Sequence, residues 1–266
     1  MANPKAQPDL QKLGERLLTQ GPVKSLRTPK RVRIQFGSTI VADTTSALYV
    51  WEHDYYPFYY LPLSAFREGA LHNPEETSSS PSSASFLHHE AHSWFDAART
   101  LAGLVRVEFA AGPGDLAWFE EDERIYVHPR DPYKRIDILP STRPVRVFVE
   151  GQLVASAPSA MHLYETGLPV RYYLPATSVA ANLGLLRASE TTTQCPYKGE
   201  ANYYSVVLPQ PEKGEKGETV AKDVVWYYKT PTHESARIAG LLCFYNEKVD
   251  IELDGKMLER PKSIFS

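Results

Sequence analysis

Apolar and polar positions alternate along Val145–Val149, with Val145, Val147 and Val149 on one side and Arg146 and Phe148 on the other. A turn at Gly151 leads into Leu153-Val154-Ala155, so the spacing predicts a β-hairpin. A third strand follows at Met161–Glu165 and a fourth at Arg171–Leu174, closed by Pro175. Thr177 or Ser178 is placed to cap a short helix running through Leu186. Further strands are predicted at Asn202–Leu208, Asp223–Lys229 and Lys248–Leu253, the last ending at Asp254-Gly255. Pro231 falls in the first turn of a predicted helix, His233–Leu242, whose apolar side is Ala236, Ile238, Ala239 and Leu242.

The same pattern occurs 113 positions earlier. Without a gap, residues 32–62 lie on 145–175, and Val32, Arg33, Val41, Ala42, Ser46, Ala47, Glu52, Tyr59, Tyr60, Leu61 and Pro62 meet identical residues. The sequence therefore reads as a tandem duplication with a boundary near Thr142. A polar arm, 1–30, precedes a diverged first repeat, 31–142, and a second repeat, 143–266. In the arm, Leu10, Leu13, Leu17 and Leu18 predict an amphipathic turn and a half. The first repeat carries a Ser/Pro/Glu-rich loop at 73–85 and a linker motif at 118–137. The second carries a charged Lys/Glu/Gly loop at 209–221. Glu120–Glu123 reads as a solvated acidic face.

Composition narrows the function classes. The chain has 266 residues, 42% of them hydrophobic, and a net charge of −3. That lacks the basic field of a non-specific nucleic-acid binder. No apolar run is long enough to span a membrane, and two cysteines, Cys195 and Cys243, suit neither a disulfide framework nor a four-ligand zinc site. A reduced, cytoplasmic setting is expected, for a monomer or homodimer with no nucleic-acid or membrane partner. With 16 Tyr, 10 Phe and 21 Pro against 3 Met, the chain leans towards sheet and turns.

Candidate chemistry gathers at a few places. Thr191–Val206 contains Cys195-Pro196-Tyr197-Lys198-Gly199, which puts a thiol, a phenol and an amine within a few residues. A cysteine nucleophile needs a nearby base, and no histidine adjoins it. The alternatives are a structural turn, a ligand contact or covalent catalysis. His88, His89, Glu90 and His92 concentrate three imidazoles and a carboxylate, suited to proton transfer. His88 and His92 would share a helix face as metal ligands, and an inert exposed edge is the remaining reading; no metal is assigned. Glu52 and Glu165 occupy the same repeat position, as an acid–base pair or as two rim glutamates. Tyr60, Trp94, Tyr173, Tyr197, Tyr204 and Trp226 are candidates for an aromatic lining. Arg130 is either part of a rigid connector between Pro129 and Pro132 or a clamp for a carboxylate.

Glu165-Thr166-Gly167-Leu168-Pro169, Arg171-Tyr172-Tyr173-Leu174-Pro175, the Cys195–Gly199 turn, Trp226 and Phe244-Tyr245 resemble the family called domain of unknown function 427. The resemblance covers nearly all of 143–255. The first half resembles the amino-terminal copy of tandem members, including Trp118–Glu123 and His128–Asp137. It departs from the Cys-Pro-Tyr-Lys-Gly pattern where His88 and His89 stand. The resemblance implies a mainly β fold with a minor α component, of the Mss4-like or β-tent kind, each domain having one or two short helices. It implies no activity, and no Gly-rich phosphate loop or paired-Asp motif is present to hold a nucleoside triphosphate.

Together these features predict a cofactor-independent enzyme acting on a small organic molecule by acid–base chemistry, of isomerase, cyclase or lyase type. Its catalytic candidates are Glu52, Glu165, His88, His89 and Lys198. Its ligand-binding candidates are Tyr60, Trp94, Arg130, Tyr173, Cys195, Tyr197, Tyr204 and Trp226. The alternatives are a non-catalytic small-ligand or partner-binding module and, more weakly, a hydrolase using Cys195.

Overall fold

The structure, a computed structural model, describes residues 10–71, 86–88, 101–109, 116–209 and 218–263. It is mainly β and divides into two compact units between Asp131 and Pro132.

The first unit begins with α1 (Leu10–Gln20), followed by β1 (Lys24–Arg27), β2 (Val32–Phe36), β3 (Thr39–Thr44), β4 (Leu48–Trp51) and β5 (Phe58–Pro62). After these come β6 (Phe86–His88), β7 (Leu104–Val107), β8 (Leu116–Glu120) and β9 (Glu123–Ile125). They form two antiparallel sheets, ordered β1-β4-β5-β7-β6 and β3-β2-β8-β9. Ile34 and Trp118 from one sheet pack with Tyr49, Trp51, Tyr59 and Leu61 from the other. On the far side of the five-stranded sheet, Leu13 and Leu17 of α1 cover Leu48, Val50 and Tyr60. Every residue of β4 is consequently buried, which explains its run of apolar residues without alternation. The helix is twice the predicted length because this second apolar face needs a cover.

The second unit contains β10 (Ile136–Ser141), β11 (Val145–Val149), β12 (Gln152–Ala157), β13 (Ala160–Glu165) and β14 (Arg171–Leu174). It continues through β15 (Leu186–Cys195), β16 (Gly199–Pro209), β17 (Glu218–Tyr228), β18 (Leu242–Phe244), β19 (Asp250–Leu253) and β20 (Lys256–Met257). A seven-stranded sheet, β10-β13-β14-β18-β17-β16-β15, faces a four-stranded one, β12-β11-β19-β20. Val145, Val147, Leu174, Val206, Val225 and Ile251 are among the residues that fill the space between them. The other face of the larger sheet carries Leu163, Tyr173, Tyr203, Trp226, Tyr228 and Tyr245, partly covered by Ile238.

The predicted hairpins form, and in matching register. Val32 pairs with Thr44 and Val145 with Ala157; the bulges fall at Ile34/Gln35 and Val147/Phe148, again 113 positions apart. Several expectations change. Both predicted helices of the second repeat are 3-10 segments, Ala176–Leu185 and His233–Ile238. The β-branched run Thr191-Thr192-Thr193 belongs to β15, a strand the alternation analysis missed. The charged loop shrinks because β16 runs to Pro209 and β17 starts at Glu218. Strand β10, read as part of the first repeat, pairs along its whole length with β13 of the second unit. Glu120 is not solvated: it is buried, accepting hydrogen bonds from Tyr59 at 2.9 Å and from Lys30. The Ser-rich stretch 73–85 lies outside the described residues. Among those described, no helix is long and apolar enough to cross a membrane.

Candidate functional site

Two strand ends and one turn build the site of the second unit. Strand β13 delivers Glu165 at its last position, and β15 ends on Cys195, paired with Gly199 at the start of β16. The chain reverses through Pro196, Tyr197 and Lys198 to Gly199, whose φ of +93° is a conformation L side chains rarely adopt. A Cβ there would also lie 3.4 Å from the Thr230 carbonyl oxygen. Segment 230–235 clamps the turn. The Thr232 amide donates to the Lys198 carbonyl at 3.2 Å, and the Thr232 and Ser235 hydroxyls donate to the Tyr197 carbonyl at 2.5 and 3.2 Å.

This clamp fixes the direction of the Lys198 side chain. Its Nζ donates to Glu165 Oε2 at 2.5 Å, and both side chains are largely buried, 11% and 7% exposed. Cys195 ends the strand before this turn, and its thiol acts electrostatically on the same ammonium. Burial works against the charge on Lys198, but Cys195 and Glu165 outweigh it and hold the group above its ordinary value of 10.5. Lys198 is therefore an ammonium at neutral pH, a poor base but a strong hydrogen-bond donor. Cys195 is half-buried and Cys243 fully buried. Burial pushes the Cys243 thiol up, so it resists ionisation.

An aromatic layer shares this region. Trp226 Nε1 donates to the Tyr173 hydroxyl at 3.1 Å, and the Tyr203 and Thr193 hydroxyls are 2.8 Å apart. Tyr203 also bonds to Tyr245, whose ring lies 4.5 Å from that of Trp226. Burial raises the phenols of Tyr173, Tyr203, Tyr228 and Tyr245, keeping all four neutral donors. Beneath Trp226, the buried Arg171 guanidinium bonds Glu247 at 2.6 and 2.7 Å and also Asn246. Tyr204 is not part of this layer. One position on from Tyr203, it points to the opposite sheet face, where it stacks on Tyr227 at 4.9 Å.

In the first unit, Glu52 follows β4 directly and accepts from Arg106 Nε at 2.7 Å and from the Tyr60 hydroxyl at 3.0 Å. Arg106 also meets Glu108 at 2.6 Å. Glu52, Arg106 and Tyr60 are all buried, so this carboxylate serves as the counter-ion of a core arginine. Arg130 pairs with Glu123 at 3.1 Å, while its neighbour Asp131 accepts from Trp51 Nε1 at 3.0 Å. His88 lies in β6, but its side chain, together with His89, His92 and Trp94, falls outside the described residues.

Glu52 and Glu165 thus hold a buried cation each, within separate units: Arg106 for one, Lys198 for the other. The sequence reading did not count Arg106, Arg171, Tyr228 or Tyr245 among its site candidates, although Arg171 and Tyr245 stand in the motifs of the family resemblance. For Arg106 a signal existed, since it is the lone charge in the apolar run Leu104–Val107. Among the described residues, no group of three or more His, Cys, Asp or Glu side chains is gathered to hold a metal ion.

A family model described as a domain of unknown function (DUF427) matches residues 24–91 and 137–255, a segment in each unit. No curated protein matches the chain.

Proposed function

The chain belongs to the DUF427 family, whose description carries no activity, and we propose that it is a cofactor-independent enzyme moving a proton on a small organic molecule at Glu165, Lys198 and Cys195. The reaction class is isomerisation, cyclisation or elimination. One observation carries the reading: a lysine held charged in a largely buried position by a carboxylate at 2.5 Å, beside a half-buried thiol. Burying ions is costly, and the two apolar clusters of this unit are complete without them. Perturbed, partly accessible charges of this kind concentrate at functional sites. In this scheme Lys198 stabilises negative charge developing on a substrate oxygen, Glu165 accepts or returns the proton, and Cys195 borders the substrate. Tyr173 and Trp226 support the floor of the site.

The test begins with native mass spectrometry of the purified protein to find a co-purified small molecule. That molecule is then incubated with protein in heavy water. The proposal expects deuterium incorporation or a rearranged product, lost in Glu165→Gln and strongly slowed in Glu165→Asp. A ligand returned unchanged and unlabelled overturns it. Non-catalytic binding of a small anion is the second reading, favoured by the upward shift of Lys198, which fixes its charge. It expects that unchanged ligand, with affinity lost in Lys198→Met.

A further inference from the structure

We infer that the face of β13 turned away from Glu165 carries a second site, which binds a small carboxylate through Arg143 and His162. The inference does not rest on the proposed function, because Leu163, Glu165 and Lys198 lie on the other side of this sheet. Leu139, His162 and Tyr172 stand directly opposite one another on β10, β13 and β14, so they form one row on one face. Tyr164, two residues beyond His162, extends it. The row marks the margin of the core: Tyr172 packs between the sheets, whereas Leu139 and Tyr164 are 50% and 41% exposed. The His162 ring lies 4.9 Å from that of Tyr172 and 6.4 Å from that of Tyr164, and the residue is 2% exposed. Its Nε2 is buried without a hydrogen-bond partner among the described residues. A buried polar atom left bare in this way is costly, and a ligand atom relieves it.

Arg143 supplies the charge. Its amide donates to Ser141 Oγ at 3.3 Å, and Ser141 pairs with Ala160. Ala160 is two residues from His162 along β13, about 7 Å, a distance an arginine side chain covers. The guanidinium is half exposed. Among the described residues the carboxylate it meets is Asp254, 4.0 Å from Nε and beyond hydrogen-bonding range. The acid that shares this face, Asp137 opposite Tyr164, is bonded to Arg135 at 3.0 Å. His162 accordingly titrates below its ordinary 6.5, through burial first and Arg143 second. A guanidinium, an imidazole and two phenols thus surround a position that holds no carboxylate of its own, beside the apolar Leu139. That combination fits an anion with an apolar body. A carboxylate suits it better than a phosphate, since one guanidinium balances a single negative charge and its fork matches two carboxylate oxygens.

The test labels the histidine rings of the full-length protein with nitrogen-15 and assigns His162 through its nuclear Overhauser contacts with the Tyr172 ring. Sodium hexanoate is then titrated at constant ionic strength and neutral pH. The expected result is a saturable shift of the His162 ring nitrogens, with hexanol at the same concentrations leaving them unmoved. In Arg143→Gln, a change at a half-exposed side chain, hexanoate binds about tenfold more weakly. Lys198→Met keeps the His162 response, which separates this site from the one at Glu165. His162 nitrogens that stay in place with hexanoate, that follow hexanol as they follow hexanoate, or that respond equally in Arg143→Gln overturn the proposal. So does a response lost in Lys198→Met.

Discussion

Replacing Glu52 by Gln gives the sharpest test of its assignment as a core counter-ion. The Arg106 side chain has no exposed surface and Glu52 about 5%, with Nε–Oε1 at 2.7 Å and a second contact, Nη2–Oε2, at 3.4 Å. Removing one partner of such a pair strands the other charge and costs about 3–5 kcal/mol. Glu108, 2.6 Å from the same guanidinium and 12% exposed, still neutralises part of that charge. The expected loss for Glu52→Gln is therefore about 3 kcal/mol, at the lower end of that range. Urea unfolding followed by far-UV circular dichroism measures it. With an m-value of about 1.5–2 kcal/mol/M, the midpoint of the first unit falls by about 1.5–2 M. Arg106→Met loses a similar amount, and the double variant loses less than the sum by about 2 kcal/mol, because neither charge is then left alone. A Glu52→Gln midpoint within the error of the unsubstituted protein, or strictly additive losses, refutes the reasoning.

Val127 has φ +69° between a Tyr126 carbonyl and a His128 amide 2.8 Å apart, a strained three-residue turn at a β-branched residue. Val127→Gly should stabilise the first unit by about 1 kcal/mol in urea unfolding, left-handed strain exceeding the added chain entropy. Gly199→Ala should cost the second unit about 1–2 kcal/mol in urea unfolding, since its φ of +93° suits only glycine. His162 is buried against Tyr172, its Nε2 without a hydrogen-bond partner among the described residues, and burial with Arg143 lowers its pKa below 6.5. Below pH 6.5 the unfolded chain takes up a proton that the folded one resists. The neutral-pH stability is thus complete above 6.5 and declines as pH falls through the folded value. His162→Phe should flatten that part of the pH–stability curve measured by thermal unfolding.

The parts of the fold with one solvated face were legible in the sequence. The hairpin strands Val32–Phe36 and Val145–Val149 formed as predicted because alternation and turn glycines report burial on a single side, whereas Arg171–Leu174, buried on both faces, was marked by its aromatic run and the closing Pro175. Strand β15 was opaque for the opposite reason. As a sheet edge rich in Thr it shows little apolar alternation, and its pairing partner supplies the order. Both 3-10 segments were read simply as helices, the second running to Leu242 instead of Ile238, because apolar spacing does not separate a tight turn from a regular one. At the candidate site, Glu165, Lys198 and Cys195 could be named, but their meeting could not, since it depends on the register linking β13 to the turn before β16. Arg106 illustrates the same limit: the charge is visible in Leu104–Val107, while its partner lies 54 positions earlier.

Strand β10 bears on where this chain can be divided for expression. It pairs with β13 through six residues, Ile136 to Ser141, and Arg237 donates to its Ile138 carbonyl at 3.0 Å. A fragment starting at 143, where the internal repeat begins, would strip the flank of β13 and leave Leu163 beside an open row of amides, an invitation to self-association. One starting at 132 keeps that flank covered. The border of the repeated sequence pattern and the border of the compact unit are therefore different places, about ten residues apart.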